Sequence, residues 1–331
     1  MVAEMAKGNT ATGTETVGDL LDQWLAHCDS LGRSPTTMRK YRSIADSVVR
    51  PELGRIKVTK LTARDLDRLY GKLTAKGNKP TTVRRVHALI GTALHQAERW
   101  DMVDRNVAKR AQPPQIHTEQ VGAPTPEEVR AIITAADKVE PTLATYLLLA
   151  ALTGCRRGEL CALRWSDIDW ETGTLRIARS IYETAGGGWG EKSTKTHQAR
   201  RIGLDALTLG ALRRHRAIVE PLAAELDLAV TEDAFLFSRS PAGAEPIRPD
   251  VISKFARRIA ETAGVDTHLH SLRHFSATQA IAAGFDPVTV GARLGHADPS
   301  ITLRVYSHVL QHRDQDVADA LGRVLALPAP G

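Results

Sequence analysis

Four stretches in the second half of the chain concentrate side chains that grip phosphate or move protons. The first is Thr153-Gly154-Cys155-Arg156-Arg157-Gly158-Glu159-Leu160. An apolar run ends at the glycine and two arginines follow. On a helical turn Arg156 and Glu159 stand three residues apart, so the carboxylate can hold the guanidinium. An arginine braced in this way makes a fixed, bidentate contact to phosphate, although such a pair taken alone is more often plain surface. The second is Lys195-Thr196, between Gly186-Gly187-Gly188 and Arg200-Arg201-Ile202. A hairpin lysine can swing into a site and carry a proton once burial or nearby cations bring its pKa down from about 10.4. An isolated hairpin lysine is usually just exposed. The third is His268-Leu269-His270-Ser271-Leu272-Arg273-His274, in which His270, Arg273 and His274 share one helical face. A metal site built on His268, His270 and His274 is the rival reading. It is disfavoured because no acid or cysteine completes it and Arg273 would repel a cation. The fourth runs from Leu294-Gly295-His296 to Tyr306-Ser307-His308. Gly295 ends one helix and Asp298-Pro299 starts the next, which carries Tyr306. A helical tyrosine is usually core; a chemical role requires Tyr306 to face a cluster of cations.

The elements that position these groups follow from patterning. The stretch Ala111–Pro124 holds Pro113, Pro114, Gly122 and Pro124 without apolar periodicity and reads as an extended linker. Thr125-Pro126-Glu127-Glu128 then supplies an N-cap, a proline at the first helical position and Glu at N3. Ahead of the linker only helices are expected. Val17, Leu20, Leu21, Trp24, Leu25 and Cys28 form one stripe, and a second helix starts at Ser34-Pro35 with Met38, Tyr41, Ile44, Ala45 and Val48 inward. A third is capped by Thr62 and carries Leu66, Leu69, Tyr70 and Leu73; a fourth starts near Pro80 and runs to Ala97. After the linker the pattern is mixed. Residues 126–136 and 141–152 look helical, and 174–204 suggests a small antiparallel sheet with a long glycine-rich turn. Everything beyond is expected to be helical apart from Phe235-Leu236-Phe237. The fold class is mainly α with a small antiparallel β-sheet. The divisions are a flexible N-terminus (1–15), a helical domain (16–111), a linker (112–124), a mixed α+β domain (125–310) and a tail helix (311–331).

Charge is uneven. The chain has 331 residues and a formal net charge of +6. Residues 1–112 carry 20 basic and 12 acidic side chains, a net of +8, and between Arg39 and Arg85 the balance is 14 to 4. That pattern favours a polyanion over a merely solvated helical surface. Arg39, Lys40, Arg42, Lys79, Arg84 and Arg85 are the candidate contacts. Three cysteines, Cys28, Cys155 and Cys161, make no disulfide framework or Cys-x-x-Cys metal site and fit a reducing compartment. The longest apolar stretch near mid-chain, Leu143–Leu152, is too short to span a bilayer, and the first residues lack a signal-peptide core. A cytosolic protein with no membrane association is expected.

In order and spacing, TGCRRGEL, KTHQARRIGL, HSLRH and LGHADPSITLRVYSH together resemble the catalytic motifs of the tyrosine recombinase (phage integrase) superfamily. The likeness covers roughly residues 16–310, with the basic helical domain resembling a core-site DNA-binding domain of SAM-like type. It implies a catalytic set of Arg156, Lys195, His270, Arg273, His296 and the nucleophile Tyr306, with Glu159 in support, and no metal or other cofactor. Ala199 and Gly203 depart from the Ser and Pro common in the family's hairpin. Only about fifteen residues precede the first helix, too few for an arm-site domain; either the protein works without one or the chain has lost it. The implied activity is site-specific cleavage and rejoining of double-stranded DNA attachment sites by a homotetramer, through a 3′-phosphotyrosine and a Holliday junction. A directionality factor or host DNA-bending protein would assist. The apolar residues of the tail, Val317 to Leu327, would pack on their own domain or be donated to a neighbouring protomer. A type IB topoisomerase-like relaxing enzyme and a regulator that has lost catalysis are the alternatives.

Overall fold

The computed structural model describes residues 13–116, 122–184, 187–193 and 199–296, with Asp298 and Arg323. The described residues divide into two compact units, one within 1–120 and one within 121–331. Most of the expected N-terminal segment, Lys195, Tyr306 and all of the tail except Arg323 lie outside the described residues.

The first unit is helical. Helix α1 (Val17–Ser30) is started by Thr16, whose hydroxyl accepts from the Asp19 amide while Asp19 accepts from the Thr16 amide at 2.8 Å. Helix α2 (Pro35–Ile44) passes through a π-turn at Ala45–Val49 into the short α3 (Arg50–Leu53). The wide turn lies just before Pro51, which has no N–H to give and would crowd the carbonyl four residues back. Helix α4 (Ala63–Ala75) repeats the Thr–Asp cap with Thr62 and Asp65, and α5 (Pro80–Arg99) is the longest helix of the unit. The expected stripes are its core. Leu20, Leu21, Trp24, Leu66, Leu69, Val83, Val86 and Leu94 are all buried in one cluster.

In the second unit, α6 (Pro126–Val139) begins at a Thr125–Glu128 capping box. Helix α7 (Pro141–Thr153) is buried on nearly every face, and α8 (Arg157–Cys161) follows at once. Strands β1 (Ile168–Asp169), β2 (Thr174–Ile177) and β5 (Arg200–Gly203) form one antiparallel sheet in the order β1-β2-β5. Strands β3 (Arg179–Glu183) and β4 (Trp189–Ser193) form a separate antiparallel hairpin. The glycine-rich turn expected within 174–204 therefore contains a hairpin of its own. The β4 sequence, WGEKS, has no apolar alternation to announce a strand. Helices α9 (Ala206–Ala224), α10 (Pro249–Thr262), α11 (Leu269–Ala282) and α12 (Pro287–Leu294) complete the described part.

The expectation that everything after residue 204 apart from 235–237 is helical fails for the rest of 225–248, which is irregular. Asp227 and Gly243 sit at positive φ there, and Pro241 and Pro246 interrupt any helix. The segment still packs: Phe235 bridges to Arg164, while Leu236 and Phe237 are buried in the core with Trp165 and Tyr146.

Candidate active site

The site is assembled from the ends of α7, α8, α11 and α12 and the first residue of β5. Helix α7 stops because Gly154 adopts φ +62. A Cβ there would stand 2.3 Å from the Leu294 Cδ2 of α12, so glycine is needed for the backbone angle and for the close approach. The reversal puts Arg156 at the N-cap of α8. Its amide donates to Glu159 Oε2 at 2.9 Å and its Nη1 to Oε1 at 3.0 Å, while its Nη2 donates to the Gly295 carbonyl at 2.7 Å. The Arg156–Glu159 brace expected from the spacing is thus present. Glu159 is 3% exposed, and burial alone would raise its pKa. Hydrogen bonds and charge from Arg200, then from Arg156, outweigh that and hold it below the ordinary range.

Helix α11 places His270, Arg273 and His274 along one side, with the His270 and His274 rings 5.1 Å apart at nearly a right angle. Arg273 is 5% exposed. Its Nη1 donates to the Gly154 carbonyl at 2.6 Å, and among the described residues its buried Nη2 has no hydrogen-bond partner. Burial, then the neighbouring Arg156, brings its pKa down to about 10, so it stays charged at neutral pH. His296 follows Gly295, the left-handed cap of α12 at φ 70. Partial burial, then Arg273 and Arg156, lowers its pKa to about 4. His270 moves the same way, to about 4, through enclosure first and then His274, Arg273, His268 and Arg156. Its exposed edge lets water screen part of that effect. His274 is likewise lowered, by burial and then Arg273. His270 and His296 are therefore neutral at pH 7 and able to accept protons. His270 and Arg273 also line a cavity of about 410 Å³, with Arg157, Ser253 and Arg257 across it.

Arg156, Glu159, His270, Arg273 and His296 are thus brought together, whereas Lys195 and Tyr306 lie outside the described residues. Among the described residues no group of three or more His, Cys, Asp or Glu has the arrangement of a metal site. The sequence reading missed Arg200. Its Nη1 and Nη2 donate to Glu159 at 3.2 and 2.7 Å, and its Nε donates to the Arg293 carbonyl at 3.0 Å. A signal existed. Arg200 and the buried Ile202 are two apart on one strand, so they share the inward face of β5.

In the first unit, Arg39, Lys40, Arg42, Lys79, Arg84 and Arg85 are all exposed. Arg42 pairs with Asp29, and Arg84 Nε donates to the Pro114 carbonyl at 2.8 Å. Among the described residues no helix is long and apolar enough to cross a membrane.

Known proteins resemble the chain along most of its length. A tyrosine recombinase XerC-like protein of Caldanaerobacter subterraneus subsp. tengcongensis is 27% identical, over 92% of this chain and 82% of that one. The ICEBs1 integrase of Bacillus subtilis is 23% identical with the same coverage. Among solved structures, the Tn1549 transposon integrase in complex with a circular intermediate DNA superposes with a TM-score of 0.79 at 19% identity, covering 94% of this chain and all of that one. A lambda integrase tetramer bound to a Holliday junction gives 0.70 at 18% identity, covering 92% and 81%. Residues 16–74 match the N-terminal SAM-like domain of phage integrases. Residues 124–313, more than half the chain, match the phage integrase family itself, and the protein belongs to that family, the tyrosine recombinases.

Proposed function

We propose that this site-specific recombinase cleaves and rejoins duplex DNA attachment sites with Arg156, Arg273 and His296 on the non-bridging oxygens of the target phosphate and Tyr306 as nucleophile. The observation that carries the reading is the buried Arg273 Nη2, a charged donor without a partner among the described residues. A phosphate oxygen satisfies it, and fixed cations in a partly dehydrated site stabilise the charge that builds up on the pentacoordinate phosphorus. The Tyr306 oxygen bonds to phosphorus, the bond to the 5′ oxygen breaks, and Lys195 supplies the proton that the leaving 5′ hydroxyl needs. His270 takes the phenolic proton. Its low pKa keeps it unprotonated and ready to accept, and an arriving phosphate offsets the cations that depress it. The 3′-phosphotyrosine keeps the ester bond, so the 5′ hydroxyl of another strand can attack it and seal the joint.

In this reading residues 16–111 grip the core site, 112–124 link, and 125–310 perform the chemistry. A homotetramer on two duplexes exchanges strands through a Holliday junction in the cytoplasm, with the 311–331 helix as a subunit link. A directionality factor or DNA-bending host protein sets the preferred outcome. The relatives named above support this reading, being recombinases and integrases, and two of the solved neighbours were bound to a circular DNA intermediate and a Holliday junction. The test is a nicked suicide substrate. The wild-type chain forms a denaturation-resistant adduct at one phosphate, and Tyr306→Phe binds the DNA but forms none. An adduct that persists in Tyr306→Phe removes the assigned nucleophile. Supercoil relaxation by a single monomer on any sequence would favour a topoisomerase instead.

A further inference from the structure

We propose that Arg200, the first residue of β5, is a positioning residue that aims Arg156 at the target phosphate through Glu159. This deepens the functional reading above and rests on it. Glu159 divides its two oxygens between two arginines. Oε1 accepts from Arg156 Nη1 and Arg200 Nη1, and Oε2 accepts from the Arg156 amide and Arg200 Nη2. One carboxylate therefore faces two guanidinium groups, and neither is fully neutralised. Without Arg200, the buried Glu159 would spend its whole charge on Arg156 and lower the net positive charge offered to a phosphate by one.

Arg200 spends four of its five guanidinium N–H groups inside the protein. Nε is held by the Arg293 carbonyl, both Nη atoms are held by Glu159, and Nη2 also lies 3.6 Å from Cys155 Sγ. The side chain is 15% exposed, and a Cβ on Gly295 would come within 2.8 Å of its Nη1. Arg273, whose buried Nη2 has no partner among the described residues, is built to touch substrate; Arg200 is built to hold a neighbour. Its place in the chain adds a second task. It opens β5 immediately after the segment that contains Lys195, and it pins that strand to α8 and to the end of α12.

The test compares the full-length wild type with Arg200→Ala, Arg200→Lys, Arg200→Gln and Arg156→Ala in single-turnover adduct formation on nicked DNA. Arg200→Ala should lower the rate about 10- to 100-fold, the range typical of groups that orient a first contact, and should lower affinity for DNA by a smaller factor, as expected when the lost interaction is strongest in the transition state. Arg200→Lys should recover part of the rate, and Arg200→Gln, which keeps a donor but no charge, should not. The distinguishing substrate carries a neutral methylphosphonate at the target position. The deficits of Arg156→Ala and Arg200→Ala should both shrink on it, because less cationic stabilisation is needed. An equal deficit on both substrates, or a folded Arg200→Ala with the wild-type rate, overturns the proposal. Affinity alone gives a second reading that needs no cleavage. The preference for phosphate over methylphosphonate DNA should fall toward one in Arg200→Ala, and an unchanged preference overturns the role of Arg200 even where the wild type forms adduct. A shifted preference with no wild-type adduct overturns the functional reading instead.

Discussion

A guanidinium that is buried and only half satisfied costs free energy until something anionic meets it. Arg273 is such a group, and the histidines around it respond in kind. His215, His270, His274 and His296 all have pKa values below the ordinary 6.5, as does His87 in the other unit. Each binds its proton less tightly when folded than when unfolded. Between about pH 4 and 6.5 the unfolded chain takes up more protons, so stability is lost as pH falls through that window and is fully present above it. The DNA-free protein should therefore denature at lower urea at pH 5 than at pH 7. The double change His215→Asn and His296→Asn should flatten that slope. His270 contributes less, since water reaches one edge of its ring. A slope undiminished by the double change, or one that runs the other way, would show that His215 and His296 are not depressed as described.

Turns decide whether the arginines meet. Gly158 packs α8 against β3 so closely that a Cβ would stand 2.5 Å from the Ile181 carbonyl and 2.6 Å from Ser180 Oγ. Gly158→Ala should cost about 1–3 kcal/mol from overpacking against a backbone atom that cannot yield, read as a lower urea midpoint, and should slow adduct formation by displacing Arg156. Thr125→Ala removes only a cap and should cost about 1 kcal/mol with the cleavage rate unchanged. Equal effects of the two changes on rate would sink this distinction. Elements with strong local signals were legible in the sequence. The caps at Thr62 and Thr125, the stripes of α1, α4 and α5, and the glycine stop after α7 follow from residue type and spacing. The Arg156–Glu159 brace was legible for the same reason, three residues of helix. What was hidden depends on distant pairing. Arg200 meets Glu159 across 41 positions, the β3–β4 hairpin has little alternation, and 225–248 is held by scattered contacts such as Phe235 with Arg164.

Among the described residues, the first unit has one buried cluster running from Val17 to Ala111, and the second has one from Val129 to Phe275 and a smaller one from Ala277 to Leu294. The basic excess lies with the first, so sequence-independent grip on DNA should reside there and chemistry in the second. Reversing Lys79 and Arg85 to Glu should weaken binding to all duplexes alike and reduce the slope of log affinity against log salt by about 1 for each phosphate contact removed. Adduct formation at saturating protein should stay near the wild-type rate. A lost preference for the attachment site with an unchanged salt slope would assign these side chains to base recognition instead. The shared carboxylate of Glu159 bears on how such an enzyme can be remodelled. Because one acid serves two bases drawn from different segments, residues 156, 159 and 200 behave as a single unit of inheritance. Libraries that vary them one at a time should return only crippled clones, and new solutions should surface where all three are randomised together.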